Sequence, residues 1–304
     1  MELIKPNTNI NFVGNRYYAF ALSGILLVLS VLSIPVVGKI QLGIDFTGGV
    51  MVQVKFTKDV HVDEIRAALD PLGENLIVQK TMSIGGPEEF IVRMEEPKEG
   101  SEKVGERVKT LLEEKLGKGT TEIRSVEIVG PKVGKDLRSA AVYATIIALA
   151  MLLVYMSFRF DMSMGLGAIL CLIHDIIMVY GFFVWTGKEF NLTILAAVLT
   201  VVGYDINDTI IVCDRIRENL GIMRKRSLEE ILNISINQTL SRTVLTSGFT
   251  LLVVVSLLIF GTTVLKDFAW ALAIGIILGT YSSIFVAIPL VLAWDRLIPI
   301  KRRT

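Results

Sequence analysis

Six long apolar runs divide the chain: Ala19–Val37, Ala140–Phe158, Met164–Trp185, Leu192–Cys213, Val244–Phe260 and Phe268–Trp294. Each approaches or exceeds the roughly 20 residues that a helix needs to cross a bilayer, so the pattern predicts six spans. The last run is long enough to tilt or to project from the membrane. A cleaved signal fits the first run poorly. The run exceeds the usual apolar core of about 7–15 residues, and no A-x-A site follows it.

Between the first two runs, residues 38–139 have the composition of a soluble domain of ordinary size. Val50, Val52, Val54 and Phe56 alternate with polar residues, the period of a strand. Gly43–Gly49 leads into it, with a turn expected at Gly48-Gly49 and an extra strand expected ahead of it. Val62–Leu72 has helical spacing, with Ile65, Ala68, Leu69 and Leu72 on one side. Leu76–Ile84 and Phe90–Met94 read as strands joined by a turn at Gly85-Gly86-Pro87. Ser101–Leu116 reads as a second helix and Thr121–Val129 as a last strand. The order β, α, ββ, α, β predicts a small α+β domain of ferredoxin-like type. It holds His61 alone and no nucleophile–base constellation, which points to binding rather than catalysis.

The expected organisation is therefore 1–37 as N-terminus and first span, 38–139 as the α+β domain, and 140–304 as the other five spans. At 52% hydrophobic residues, the composition agrees with a membrane protein. Short-loop charge sets the orientation. Lys5, Arg16, Arg159, Arg215, Arg217, Arg224, Lys225, Arg226, Arg242, Arg296, Lys301, Arg302 and Arg303 all fall on one side. Only Lys188 and Lys266 fall in the opposite short loops. Both termini are thus expected in the cytoplasm and the α+β domain outside it. Ser227-Leu-Glu-Glu230 is a capping-box pattern. It predicts a short amphipathic helix along the inner membrane face, within a loop of about 214–242. The net charge of +1 and the absence of a large basic patch give no sign of nucleic-acid binding. Cys171 and Cys213 have neither metal-ligand spacing nor a disulfide framework, so no metal or bound cofactor is expected.

The candidate chemistry lies in the fourth run, which carries Asp205, Asn207 and Asp208 inside its apolar part. One aspartate at a helix centre costs about 2.5–3.5 kcal/mol to insert, and one Leu, Ile, Val or Phe returns only about 0.3–0.6 kcal/mol. The run spans only if these groups face protein or a water-filled cavity. Asp205 and Asp208, three residues apart, share a helix face. Ionisable faces of this kind serve proton relays; the bland alternative is a hydrogen-bonded cluster between helices. His174 and Asp175 sit in the middle of the third run, as further relay candidates or packing residues. Arg242 stands at the start of the fifth. An arginine beside a carboxylate favours its charged form and burial disfavours it. A small movement of Arg242 would then switch Asp208 between holding and releasing a proton. The bland reading of Arg242 is an interfacial arginine reaching for phosphate. The last run has Ala271, Gly275, Gly279, Ser283 and Ala287 at four-residue steps, a small-residue stripe suited to close helix packing within the chain or against a partner.

Several motifs occur together and in order: Gly43–Gly49, Val129–Gly134, His174-Asp175, Val202–Thr209 with Asp214–Asn219, Ser241-Arg-Thr243 and Thr246-Ser-Gly248. Over nearly its whole length the sequence resembles the SecD/SecF family of the RND superfamily of proton-driven transporters. The resemblance implies an RND-type half of six helices in a bacterial cytoplasmic membrane. It implies a SecD partner, work alongside the SecYEG channel with the accessory proteins YajC and YidC, and unfolded preprotein as the cargo. The proton gradient, rather than a cofactor, would supply the energy. It further implies that Asp208 and Arg242 serve proton passage. Asp205 departs from the family pattern, where a small hydroxylated residue is usual, and so adds a second carboxylate one turn from Asp208.

Two competing readings are weaker. A proton-coupled exporter of small hydrophobic molecules would have two six-helix repeats and larger outer domains. An intramembrane aspartyl protease would carry a Gly-x-Gly-Asp partner motif, which is missing, and it gives Arg242 no role.

Overall fold

In a computed structural model, residues 8–37, 41–73, 76–81, 89–94 and 103–295 are described. The expected turn at Gly85-Gly86-Pro87, Lys5 and the basic residues beyond Asp295 lie outside them. The chain divides into two units, one built of the six long helices and the other of Leu42–Val142 together with Glu189–Leu192.

The smaller unit begins with α2 (Ile44–Thr47) and continues through β1 (Gly49–Phe56), α3 (Val62–Leu69), β2 (Ile77–Thr81), β3 (Glu89–Met94), α4 (Val104–Leu116) and β4 (Thr121–Val129). The four strands form one antiparallel sheet in the order β2-β3-β1-β4, the ferredoxin-like arrangement. The alternation seen in the sequence does the packing. Val50, Val52, Val54 and Phe56 point to one face and are buried with Ile65, Ala68 and Leu69 of α3 and Val108 and Leu112 of α4. Phe56 and Phe90 meet edge to face with centroids 5.5 Å apart.

Two expectations change here. The helix from Val62 does not run to Leu72. It stops at Leu69 and a 3-10 turn covers Asp70–Leu72, because Pro71 has no N–H to continue the α-helical ladder. The extra strand expected before β1 is instead the helical turn α2, and Leu42 makes only an isolated parallel bridge to Phe190. Gly48 and Gly49 turn the chain with φ of 75° and 120°, a region that disfavours side chains.

Among the described residues, six helical segments are long and apolar enough to cross a membrane. They lie in α1 (Arg16–Val37), α5 (Pro131–Arg159), α6 (Met162–Thr186), α7 (Leu192–Ile222), α8 (Leu228–Phe260), and α9 (Thr263–Ser282) continued by a π-turn at Ser283–Ala287 and α10 (Ile288–Asp295). Pro289 gives a reason for the π-turn. It cannot donate to the Phe285 carbonyl, and a wider turn absorbs the missing bond.

The segment 214–242 is not a loop with a short surface helix. α7 extends to Ile222 and α8 starts at Leu228, so only a short connection separates two long helices. The capping box is present, with the Ser227 hydroxyl accepting from the Glu230 N–H at 3.3 Å, but it opens a helix that continues to Phe260. The apolar residues that suggested an interfacial face turn inward. Leu228, Ile231, Leu232, Ile236 and Leu240 are buried with Ile216 and Leu220 of α7. Asn219 seals this seam, donating to Ser235 at 2.8 Å and to Gln238 at 2.9 Å.

Candidate functional site

The acidic residues of α6 and α7 are held by different neighbours, and the sequence explains each. In α6, Asp175 is 2% exposed. One of its oxygens is 2.8 Å from His174 Nδ1, and the other accepts from the Ser282 hydroxyl of α9 at 2.6 Å. His174 Nε2 is buried without a hydrogen-bond partner. Ser282 is the last residue before the π-turn, so the distortion near Pro289 adjoins this contact.

Asp205 of α7 is 3% exposed, and neither carboxylate oxygen has a hydrogen-bond partner. Its side chain lies against Gly279, where an added Cβ would come within 1.8 Å of Oδ1. One turn earlier, Val201 fills the equivalent space over Gly275, where a Cβ would come within 2.4 Å of Cγ2. The small-residue stripe of the last span therefore receives α7 of the same chain, which decides between the two uses left open above. Asp205 and Asp208, three residues apart, share one face of α7.

Asp208 is 1% exposed and turned towards α8. One oxygen accepts from the Ser247 hydroxyl at 3.1 Å and the other is buried without a partner. Ser247 belongs to the Thr246-Ser-Gly248 motif, whose relation to Asp208 was not legible before the fold was known. Tyr204 adds a second tie between α7 and α8, with its hydroxyl 2.9 Å from Thr250 Oγ1.

Arg242 is exposed. No ion pair joins it to Asp208 among the described residues. Asn207 is likewise exposed, on the opposite side of α7 from the carboxylates. The structure thus gathers Asp175, Asp205, Asp208 and His174 inside the helices and leaves Arg242 and Asn207 on the surface of the chain. Among the described residues no group of His, Cys, Asp and Glu has the arrangement of a metal site.

Buried carboxylates without partners in apolar helices are expensive, and they recur where membrane proteins move ions or protons. Six spans with such a core define a polytopic membrane protein of transporter type. Comparison with known proteins specifies the class. A family profile described as "Protein export membrane protein SecD/SecF, C-terminal" matches residues 108–297, and one described as "SecD/SecF GG Motif" matches residues 36–60. The "Protein translocase subunit SecF" of Calditerrivibrio nitroreducens is 41% identical over 294 residues, covering 96% of each chain. That of Thermodesulfovibrio yellowstonii is 40% identical, over 99% of this chain and all of the relative. The Pseudomonas aeruginosa protein of the same name is 43% identical over 94% of this chain and 91% of the relative. The crystal structure of SecDF from Thermus thermophilus superposes with a TM-score of 0.87 at 37% identity over 97% of this chain. A second structure, of SecDF in a super-membrane-facing form, gives 0.70. The chain spans 40% of the length of those SecDF chains. The chain belongs to the SecD/SecF family of protein export membrane proteins.

Proposed function

We propose that this chain is the SecF-type subunit of the bacterial Sec export machinery. It pairs with SecD and uses the proton gradient to assist preprotein passage through SecYEG, with YajC and YidC as accessory partners. Both termini are cytoplasmic and the α+β domain is outside, a reading supported by the distribution of short-loop lysine and arginine. No bound cofactor takes part.

One observation carries the proton reading: α7 holds two aspartates at 3% and 1% exposure with three of their four oxygens unpartnered. A purely structural cluster would satisfy those atoms, because an unmet buried polar group costs stability and gives nothing back. Asp208 is the main carrier, Asp205 a second carboxylate coupled to it, and Arg242 the counter-charge that approaches in another conformation. His174 and Asp175 form the adjoining relay or brace. The SecD partner covers the outer face of α7. Thr200, Gly203 and Asn207 are exposed along it, small or polar where a lipid-facing helix would be apolar.

The test is export into vesicles containing the complete complex under an imposed proton gradient. Asp208→Asn keeps size and hydrogen bonding but cannot titrate. It should abolish the gradient-driven part of export while complex yield stays near normal. Persistence of gradient-stimulated export in that variant would refute the proton reading.

A further inference from the structure

The link between α6 and α7 is short and polar, yet it does not lie free in solvent. Glu189 is 7% exposed and forms an ion pair with Arg93 of β3, itself 6% exposed. Arg93 also donates to the Leu42 carbonyl at 2.6 Å. The Gly43 N–H donates to the Phe190 carbonyl at 2.9 Å, and Phe46 stacks on Phe190 with centroids 6.4 Å apart. Asp45 accepts the backbone N–H of Leu192, the first residue of α7, at 2.9 Å. That N–H has no partner within its own helix, and a carboxylate there also meets the positive end of the helix dipole. Gly43 permits this approach, since a Cβ would stand 2.8 Å from the Asn191 Cβ.

The same segment clasps the start of a second long helix. A Cβ on Gly48 would come within 2.8 Å of Pro131 Cα, and one on Gly134 within 2.8 Å of the Gly48 nitrogen. Gly48 also needs its φ of 75°. One short segment, Gly43–Gly49, therefore grips the first turns of both α5 and α7. A buried ion pair is a poor source of net stability, and its best-attested use is to fix position.

We propose that the Gly43–Gly49 segment, with Arg93 and Glu189, is a latch. It ties the start of the carboxylate-bearing helix α7 to the α+β domain, so that the domain follows α7 through the transport cycle. Asp45, Arg93 and Glu189 are positioning residues: they touch no proton and no cargo, and act through the helix they hold. The proposal rests on the proton-driven reading given above.

The experiment uses the full chain with its SecD-type partner, SecYEG and SecA in sealed vesicles. Proton uptake and gradient-driven export are measured on the same preparation, and hydrogen exchange is followed at the start of α7. Asp45→Ala should speed exchange at the Leu192 amide by about 2- to 30-fold, the change expected for losing one helix cap. It should also lower export per proton taken up several-fold. Asp45→Asn keeps an acceptor and should retain most of the ratio. Adding Leu42→Cys and Phe190→Cys to Asp45→Ala supplies a covalent tie, and oxidation should restore the ratio that reduction removes.

An unchanged ratio in Asp45→Ala would overturn the latch. So would a parallel fall of export, proton uptake and complex yield, which is the signature of a merely structural role. Failure of the disulfide to restore coupling would do the same. Asp208→Asn runs alongside: if it leaves gradient-driven export intact, the proton reading fails, and unchanged exchange at Leu192 in Asp45→Ala would still, separately, remove the latch.

Discussion

Adding a single methyl group at Gly279 tests whether Asp205 is packed as described. The new Cβ would lie 1.8 Å from Oδ1 and 2.2 Å from Cγ of Asp205. Those distances are far inside van der Waals contact, so the side chain or the helix must move. Overpacking of this size costs about 1–3 kcal/mol. Against it stands the gain of replacing a mid-helix glycine by alanine, roughly 0.5–1 kcal/mol. In the natural background Gly279→Ala should therefore come out destabilising, by up to about 2 kcal/mol. Combined with Asp205→Ala, the clash disappears and only the helix gain remains, so the same substitution should become neutral or stabilising. Serine at position 205 is a poorer relief, because its hydroxyl can occupy the place of Cγ. The assay is a double-mutant cycle on thermal unfolding of the purified complex. Gradient-driven export of each variant is read in parallel. Gly279→Ala with the same small effect in both backgrounds would refute the packing, and with it the placing of Asp205 in the α9 groove.

Replacing Arg93 alone with leucine should destabilise the α+β domain by about 3–5 kcal/mol, since it breaks the buried ion pair with Glu189 by removing one partner. Replacing Arg93 and Glu189 together should cost far less. Thermal unfolding of the two variants checks this, and equal losses would sink it. Arg242→Lys should impair gradient-driven export although it keeps a positive charge, because the ammonium lacks the planar two-pronged donor that meets a carboxylate; wild-type export in this variant would argue that Arg242 only reaches for lipid phosphate. Gly203→Leu should weaken association with the SecD-type partner, while Ile147→Ala on α5 should not. Co-purification from the membrane compares them, and equal recovery would place the partner elsewhere.

Much of the fold was legible because apolar pattern and helix or strand period carry it directly. The six spans and the strand order of the small domain both follow from runs such as Val50–Phe56 and Met164–Trp185. The misses have local physical causes. Pro71 shortened one helix by removing a donor. The stretch Leu228–Leu240 has an amphipathic pattern that suits a membrane surface as well as a seam against α7, and only the facing residues Ile216 and Leu220 decide between them. The candidate carboxylates were visible from their cost in an apolar run. Their partners were not, since Ser247 is 39 residues from Asp208 and Ser282 is 107 residues from Asp175. Glycines 275 and 279 announced a close approach but could not say to what. The Asp45 contact with Leu192 spans 147 residues and has no sequence signal beyond an aspartate near paired glycines.

The two faces of α7 together explain why an aspartate-bearing helix can sit in a membrane at all. Its inner face carries Val201, Asp205 and Asp208, and each meets a small or hydroxylated residue of α8 or α9: Gly275, Gly279 and Ser247. These neighbours let the backbones come close enough to exclude lipid, yet they offer the carboxylates only one hydrogen bond. The outer face carries Thr200, Gly203 and Asn207 and stays uncovered within the chain. α5 is different. Tyr143, Ile147, Met151, Val154 and Phe158 are exposed there, bulky and mostly apolar as lipid contact requires. A helix meant only to anchor the chain would resemble α5 on its outer side. α7 instead combines an under-satisfied inner face with a polar, small outer one, and its first N–H is held by Asp45. Such a helix keeps its carboxylates away from hydrocarbon, which is what a charge-bearing segment needs inside a membrane.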